Sequence, residues 1–183
     1  VGDSPLGVAI IDSKGLAIIG NVDSQNLSII DLKINEVINT IKIDTAPLGL
    51  TSNPSGEEVF ITSWFKSQVL VLSTKDFSVT KAFNVGATPS GIAFNKKYNF
   101  IVITSRDANL VEIYNATDYS LQKKIKVGSH PYGISTSDKF IYVANVYDDT
   151  ISITNIFNWE QKVIKVGLHP YNVISYKDKA YVT

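Results

Sequence analysis

The chain contains two histidines, His130 and His169, and each stands before the same dipeptide, Pro-Tyr. Histidine is the commonest metal ligand and titrates near neutrality. Two imidazoles in matching contexts could share a divalent metal or a haem iron. The tyrosines of the same phrase, Tyr132 and Tyr171, could form an aromatic rim for a ligand. A further feature is Trp64-Phe65-Lys66, two large aromatics in a turn-like stretch, which suits contact with a protein partner. Trp159, in Phe157-Asn158-Trp159-Glu160, is a weaker version of it. No catalytic residue is assigned, because no Ser-His-Asp order, carboxylate pair or phosphate-binding loop emerges. The dipeptides Arg106-Asp107 and Asp148-Asp149 read as solvated turn residues, without the spacing of a calcium loop.

Composition excludes several classes. Seventeen Lys and Arg balance seventeen Asp and Glu, and the charges are scattered, so nucleic acid and anionic membrane are poor partners. Apolar residues make up 44% of the chain, yet no run approaches the roughly 20 residues of a membrane span. Cysteine is absent, which removes disulfides, thiolate metal sites and cysteine nucleophiles.

The elements that must position these residues follow from a repeat. A punctuated phrase occurs as Val1-Gly2-Asp3-Ser4-Pro5-Leu6-Gly7, Thr45-Ala46-Pro47-Leu48-Gly49, Val85-Gly86-Ala87-Thr88-Pro89-Ser90-Gly91, Val127-Gly128-Ser129-His130-Pro131-Tyr132-Gly133 and Val166-Gly167-Leu168-His169-Pro170-Tyr171-Asn172. Its prolines are 42, 42, 42 and 39 residues apart. Within a period the chain reads as four short strands. In the fourth, for example, Phe140–Ala144 is β-branched and aromatic, and Thr150–Thr154 alternates apolar with polar. No window carries a helical stripe. Four antiparallel strands in about 40–45 residues is one propeller blade. The expected fold is therefore all-β: a β-propeller segment over 1–183, with blades at about 1–43, 44–84, 85–126 and 127–165 and a partial blade at 166–183. The proline starts the innermost strand, where a missing N–H matters little, and the glycine two residues on lets innermost strands crowd together.

The repeat supplies a plainer reading for each candidate. Ser4, Ala46 and Thr88 occupy the histidine position and form no consistent ligand set. The expectation is accordingly no cofactor, with haem or a divalent metal on His130 and His169 as the alternative. Leu6, Leu48 and Ser90 occupy the tyrosine position, which suits packing between blades as well as a rim. The counterparts of Trp64-Phe65-Lys66 are the polar turns Val22-Asp23-Ser24 and Arg106-Asp107-Ala108.

The strand Tyr142-Val143-Ala144-Asn145, followed by Asp148-Asp149-Thr150-Ile151-Ser152-Ile153, resembles the Tyr-Val-Thr-Asn repeat family of β-propellers, as does Tyr181-Val182-Thr183. The earlier blades carry Asn21, Ser63 and Ser105 at the asparagine position. The resemblance implies an exported protein, on a cell surface or in a periplasm, that serves as a binding or structural scaffold with a protein or surface-assembly partner. Relatives that hold haem keep a cofactor-handling propeller as one alternative, and a lactonase-type propeller hydrolase is another. The chain opens on a phrase that ends a blade and closes inside a second strand. The expectation is a fragment of a six- to eight-bladed ring, with the remaining blades in the same polypeptide.

Overall fold

Strands occupy nearly all of the chain because its apolar residues repeat in short β-branched and aromatic runs broken by turn residues. The computed structural model describes residues 1–177 and 179–183. Two compact units are present, Val1–Val85 and Gly86–Thr183. The first holds β1 (Pro5–Ile11), β2 (Leu16–Asn21), β3 (Asn26–Asp31), β4 (Glu36–Lys42), β5 (Pro47–Ser52), β6 (Glu58–Ser63), β7 (Gln68–Ser73) and β8 (Val79–Asn84). The second holds β9 (Pro89–Asn95), β10 (Phe100–Ser105), β11 (Leu110–Asn115), β12 (Leu121–Lys126), β13 (Pro131–Thr136), β14 (Phe140–Asn145), β15 (Thr150–Asn155) and β16 (Gln161–Lys165), then β17 (Val173–Tyr176) and β18 (Lys179–Val182).

Each group of four strands is one antiparallel sheet in sequence order, and β17 and β18 form a two-stranded sheet. The only helical element among the described residues is a 3-10 turn at Asp12–Lys14. None of these elements is a helix long and apolar enough to cross a membrane. Four four-stranded blades and a smaller fifth sheet define a β-propeller fold.

The strands of a blade differ because their surroundings differ. Second strands are buried on both faces, so they lose the alternation of a half-buried strand: Val59, Phe60 and Ile61, or Ile101, Val102 and Ile103, are successive core residues. Fourth strands are the outer edges and are largely exposed, with Lys123, Lys124 and Lys126 along β12. Charge on an edge discourages pairing with foreign strands. In the first unit the core joins Ile18, Leu27 and Ile29 of one blade to Leu50, Val59 and Ile61 of the next. In the second it joins Val102, Val111 and Ile113 to Ile134, Ile141 and Val143. Burial of each such side chain contributes about 1.5–3 kcal/mol.

The phrase does what its residues suggest, with one difference. β1, β5, β9 and β13 start at Pro5, Pro47, Pro89 and Pro131, whereas β17 starts at Val173, three residues after Pro170. There the Tyr171 carbonyl accepts from Gly133 N–H (3.0 Å) and the Tyr171 N–H donates to the Thr183 carbonyl (2.8 Å). The second glycine is sterically required. A Cβ on Gly7 would stand 2.2 Å from the Leu48 carbonyl oxygen, and one on Gly91 would stand 2.2 Å from that of Tyr132.

Gly91→Ala is therefore expected to destabilise the protein by at least about 1–3 kcal/mol, since backbone rather than a flexible side chain must yield. Lys33→Ala, in an exposed turn, should stay within about 0.5 kcal/mol of the parent. Thermal unfolding of the two variants checks this, and equal melting temperatures would contradict it.

Candidate functional site

The turns joining second to third strands and the loops entering first strands are locked together by one repeated pattern. The last residue of each such turn is left-handed: Gln25 (φ 48), Ser67 (φ 49), Asn109 (φ 54) and Asp149 (φ 56). The residue before the phrase proline is left-handed at Ser4 (φ 52), Thr88 (φ 54), His130 (φ 53) and His169 (φ 50). Such residues are uncommon outside glycine, with Asn, Asp and His enriched, and here side chains offset the strain. Asn109 Oδ1 accepts from the His130 N–H (2.9 Å), and Asp149 Oδ1 accepts from that of His169 (2.8 Å).

Within a blade, the residue before the proline also meets the second residue of the turn, and the two are chemically matched. Ser4 Oγ donates to Asp23, and Thr88 Oγ1 donates to Asp107 Oδ2 (2.5 Å). In the fourth blade the same two places hold His130 and Tyr147, whose ring centroids are 4.0 Å apart. His130 thus occupies a structural place in which a ring stack replaces a hydroxyl–carboxylate bond. Asp107, Asp148 and Asp149, expected as solvated turn residues, are instead hydrogen-bond acceptors that hold the loops: Asp148 Oδ2 takes the Ser129 N–H at 2.6 Å. Short loops leave backbone N–H groups without ladder partners, and side-chain carboxylates supply them.

In the second unit this lattice presents one group of side chains. Tyr147 contacts both histidines, with its ring 6.4 Å from that of His169. His130 Nδ1 pairs with Ser129 Oγ (2.9 Å), and His169 Nδ1 faces the Val146 carbonyl (3.2 Å). A carbonyl can only accept, so His169 donates from Nδ1, and in the neutral ring this leaves Nε2 as an acceptor. No group of three or more His, Cys, Asp or Glu that could hold a metal is gathered among the described residues. Tyr132 and Tyr171 meet edge to face at 5.4 Å. Burial pushes the Tyr132 hydroxyl above its ordinary pKa, Tyr171 adds to this, and Arg106 opposes it. Arg106 itself bonds Asp107 Oδ1 at 3.3 Å. Tyr147 and Tyr171 are more than half exposed, and Tyr132 is half-buried.

The aromatic turn of the first unit is not uniform. Phe65 is 76% exposed, whereas Trp64 is half-buried with its backbone N–H on the Ala46 carbonyl (3.2 Å). Their rings are tilted at 6.2 Å. Here the matched pair is replaced by Ala46 and Phe65, and Lys66 binds Asp44 (2.6 Å). That contact holds the Asp44 carboxyl below its usual range. Trp159 packs onto the core of the second unit, with Lys123 Nζ 4.6 Å above its ring.

Sequence reading missed Glu112. It lies on β11, is 0% exposed, and receives hydrogen bonds from Ser105 Oγ (2.8 Å) and the Gly86 N–H, while Lys124 Nζ sits 2.7 Å from its other oxygen. Burial alone raises such a carboxyl. The bonds from Lys124, Ser105 and Gly86 outweigh it and hold the group below the ordinary glutamate value. The signal was present: one acid in the apolar run Leu110-Val111-Glu112-Ile113-Tyr114, at the place of Ser28, Leu70 and Ser152.

The fold and this loop lattice define the class, a β-propeller with a polar and aromatic loop face. No family model matches the chain, and no curated protein sequence matches it. Solved structures do. A functionally unknown protein from Desulfotomaculum acetoxidans is similar over all of this chain and 63% of its own, with 16% identity and a TM-score of 0.84. The WD40 repeats of RRP9 are similar over 93% of this chain and 54% of their own, with 12% identity and a TM-score of 0.83. A catalytically inactive virginiamycin B lyase from Staphylococcus aureus, with quinupristin, is similar over 98% of this chain and 62% of its own, with 17% identity and a TM-score of 0.83. The chain spans between about half and two thirds of the length of these structures. At such identities the likeness is one of fold.

The lattice makes a graded prediction at Asn109. Asn109→Gly removes the bond to His130 and should cost about 1 kcal/mol. Asn109→Ala loses the same bond and keeps a Cβ in the left-handed region without the polar side chain that makes it tolerable, so it should fall about 1 kcal/mol or more below the glycine variant. Denaturant unfolding that ranks alanine no worse than glycine would show that the turn strain is unimportant.

Proposed function

We propose that this chain is part of a binding or structural propeller of the Tyr-Val-Thr-Asn repeat type, acting outside the cytoplasm, and that its partner-contact surface is the loop face of the second unit. The observation that carries this is the grouping of exposed Tyr147 and its two histidine neighbours with the Tyr132–Tyr171 ring pair, Tyr132 being half-buried and under the influence of Arg106. Tyrosine and arginine dominate binding hot spots because they bring large contact area and directed hydrogen bonds at modest entropy loss. The loops beneath them are held by hydrogen bonds, so little order remains to be gained on binding. The repeat-family reading draws support from Asn145, the last residue of the Tyr-Val-Ala-Asn strand. It is fully buried and bonds Thr150 and Ser152 (3.0 and 2.9 Å), and Asn21 bonds Asn26 and Ser28 in the same way (2.7 and 2.9 Å). An asparagine in that place is a blade fastener. The remaining blades of the same polypeptide would complete the ring, and a protein or surface-assembly component would be the partner.

A second reading has one observation in its favour. The exposed His169 ring keeps Nε2 as an acceptor beside Tyr147 and His130, so a metal or haem-handling role for the two histidines stands as the alternative. Zinc, copper and haem titrations of the purified protein decide it. The lactonase-type reading gains nothing from the acids of this face, which cap loops.

Site-specific photo-cross-linking in source cells tests the main proposal. A photoreactive residue at Tyr147 or Tyr171 should trap one defined extracytoplasmic protein, and the same residue at Lys162 on the outer edge should not. Tyr132→Ser with Tyr171→Ser should weaken binding to that protein by about 30-fold or more, the scale of a hot spot near 2 kcal/mol. Equal trapping at the three positions, or a protein confined to the cytoplasm on fractionation, would refute the proposal.

A further inference from the structure

Among the buried titratable groups, Glu112 is the one whose surroundings lead directly to the candidate face. Its Oε2 accepts from the Gly86 N–H and from Ser105 Oγ (2.8 Å). Gly86 opens the loop that carries Thr88, and Ser105 immediately precedes Arg106. The two segments are then tied again above the carboxylate. The Arg106 N–H donates to the Thr88 carbonyl (3.1 Å), Thr88 Oγ1 donates to Asp107 Oδ2 (2.5 Å), and Arg106 bonds Asp107 Oδ1 (3.3 Å). The turn continues to Asn109, whose N–H reaches the Arg106 carbonyl (3.3 Å) and whose side chain caps His130 (2.9 Å).

The other blades show that a buried charge is not needed to close a blade. Blades one and four use the neutral pairs Asn21–Ser28 and Asn145–Ser152, both at 2.9 Å, and blade two uses Thr45 with Ser63, with Leu70 at the place of the glutamate. The carboxylate occurs only in the blade whose turn begins with arginine, where the others have Val22, Trp64 and Val146. A fully buried carboxylate is costly unless paired and hydrogen-bonded, and hydrogen bonds to a charged acceptor are about twice as strong as neutral ones.

We infer that Glu112 is a positioning residue, whose buried carboxylate ties the loop 86–88 to the turn 105–109 and so fixes where Arg106 stands on the contact face. The inference rests on the reading of that face as the partner-contact surface. The groups that face the carboxyl are Lys124 from β12, Tyr114 from its own strand, Ser105 from β10 and the Gly86 N–H from the loop. Lys124 is half exposed, so the ammonium is reachable from the outer edge while the carboxylate is not.

Amide hydrogen exchange on the full chain, followed residue by residue, tests this without any partner. In Glu112→Gln, exchange at Gly86, Arg106 and Asn109 should rise about tenfold or more, while the core amides Ile103 and Ile113 stay within about threefold. The folded carboxyl lies below its unfolded value of 4.5, so loop order is complete above that value and is lost as pH falls through the folded one. In Lys124→Met the missing ammonium should move this loosening to higher pH. Ser105→Asn with Glu112→Ser, which installs the neutral pair of blades one and four, should keep the core amides protected and abolish the acid dependence while exchange at Gly86 stays raised, because that pair makes no bond to the loop glycine. A uniform rise at all five amides, or none, would overturn the inference and leave Glu112 a core stabiliser. If Glu112→Gln does not fold, an unchanged acid midpoint in Lys124→Met overturns it alone. Failure of the cross-linking experiment removes the contact face but leaves these exchange results standing.

Discussion

The structure depends on how closely one blade's first strand can approach the next. At Gly7 and Gly91 the neighbouring backbone carbonyl lies where a Cβ would stand, so strand and strand meet without intervening side chains. That approach brings Ile18 and Ile29 against Leu50 and Ile61, and Ile113 against Ile134 and Val143. Close packing of this kind forfeits dispersion energy quickly if a gap opens. The second strands are the other side of the same constraint: they are buried on both faces, so their middles are apolar and the polar residues at their ends, such as Ser105 and Asn145, are hydrogen-bonded.

Crowding at the inner strands forces tight loops, and tight loops explain the polar lattice. A chain that must leave a fourth strand and enter a first strand within four or five residues adopts left-handed residues and strands its N–H groups. Asn109, Asp148 and Asp149 accept those N–H groups, while Asp23 and Asp107 accept the hydroxyls of Ser4 and Thr88. The acids that a sequence reader sees as surface solubility are therefore structural acceptors. The same lattice is what makes the loop face rigid enough to present Tyr147, Tyr171 and Arg106 in fixed places.

Blade three departs from its siblings by enclosing a charge. Glu112 is stabilised by an ammonium, a hydroxyl and an amide, and the low-dielectric surroundings that penalise an unpaired carboxylate strengthen each of those contacts. Neutral pins suffice for Asn21 and Asn145. A stronger fastener beneath Arg106 fits a loop whose placement matters more than its mere closure.

The amino-acid sequence by itself determined the blade. The recurrent Pro-x-Gly phrase, the strand-forming runs and the turn residues are local properties with a fixed period, and they specify four antiparallel strands whatever the neighbours do. The proline starts of β1, β5, β9 and β13 were legible for that reason. The candidate residues were legible only as types. That His130 stacks on Tyr147, that Tyr132 meets Tyr171, that Trp64 is half covered while Phe65 is bare, and that Glu112 lies under Arg106 are contacts between residues as much as 39 positions apart. Only the tertiary structure decides those, because they depend on the relative placement of strands and loops, which no single strand's pattern encodes.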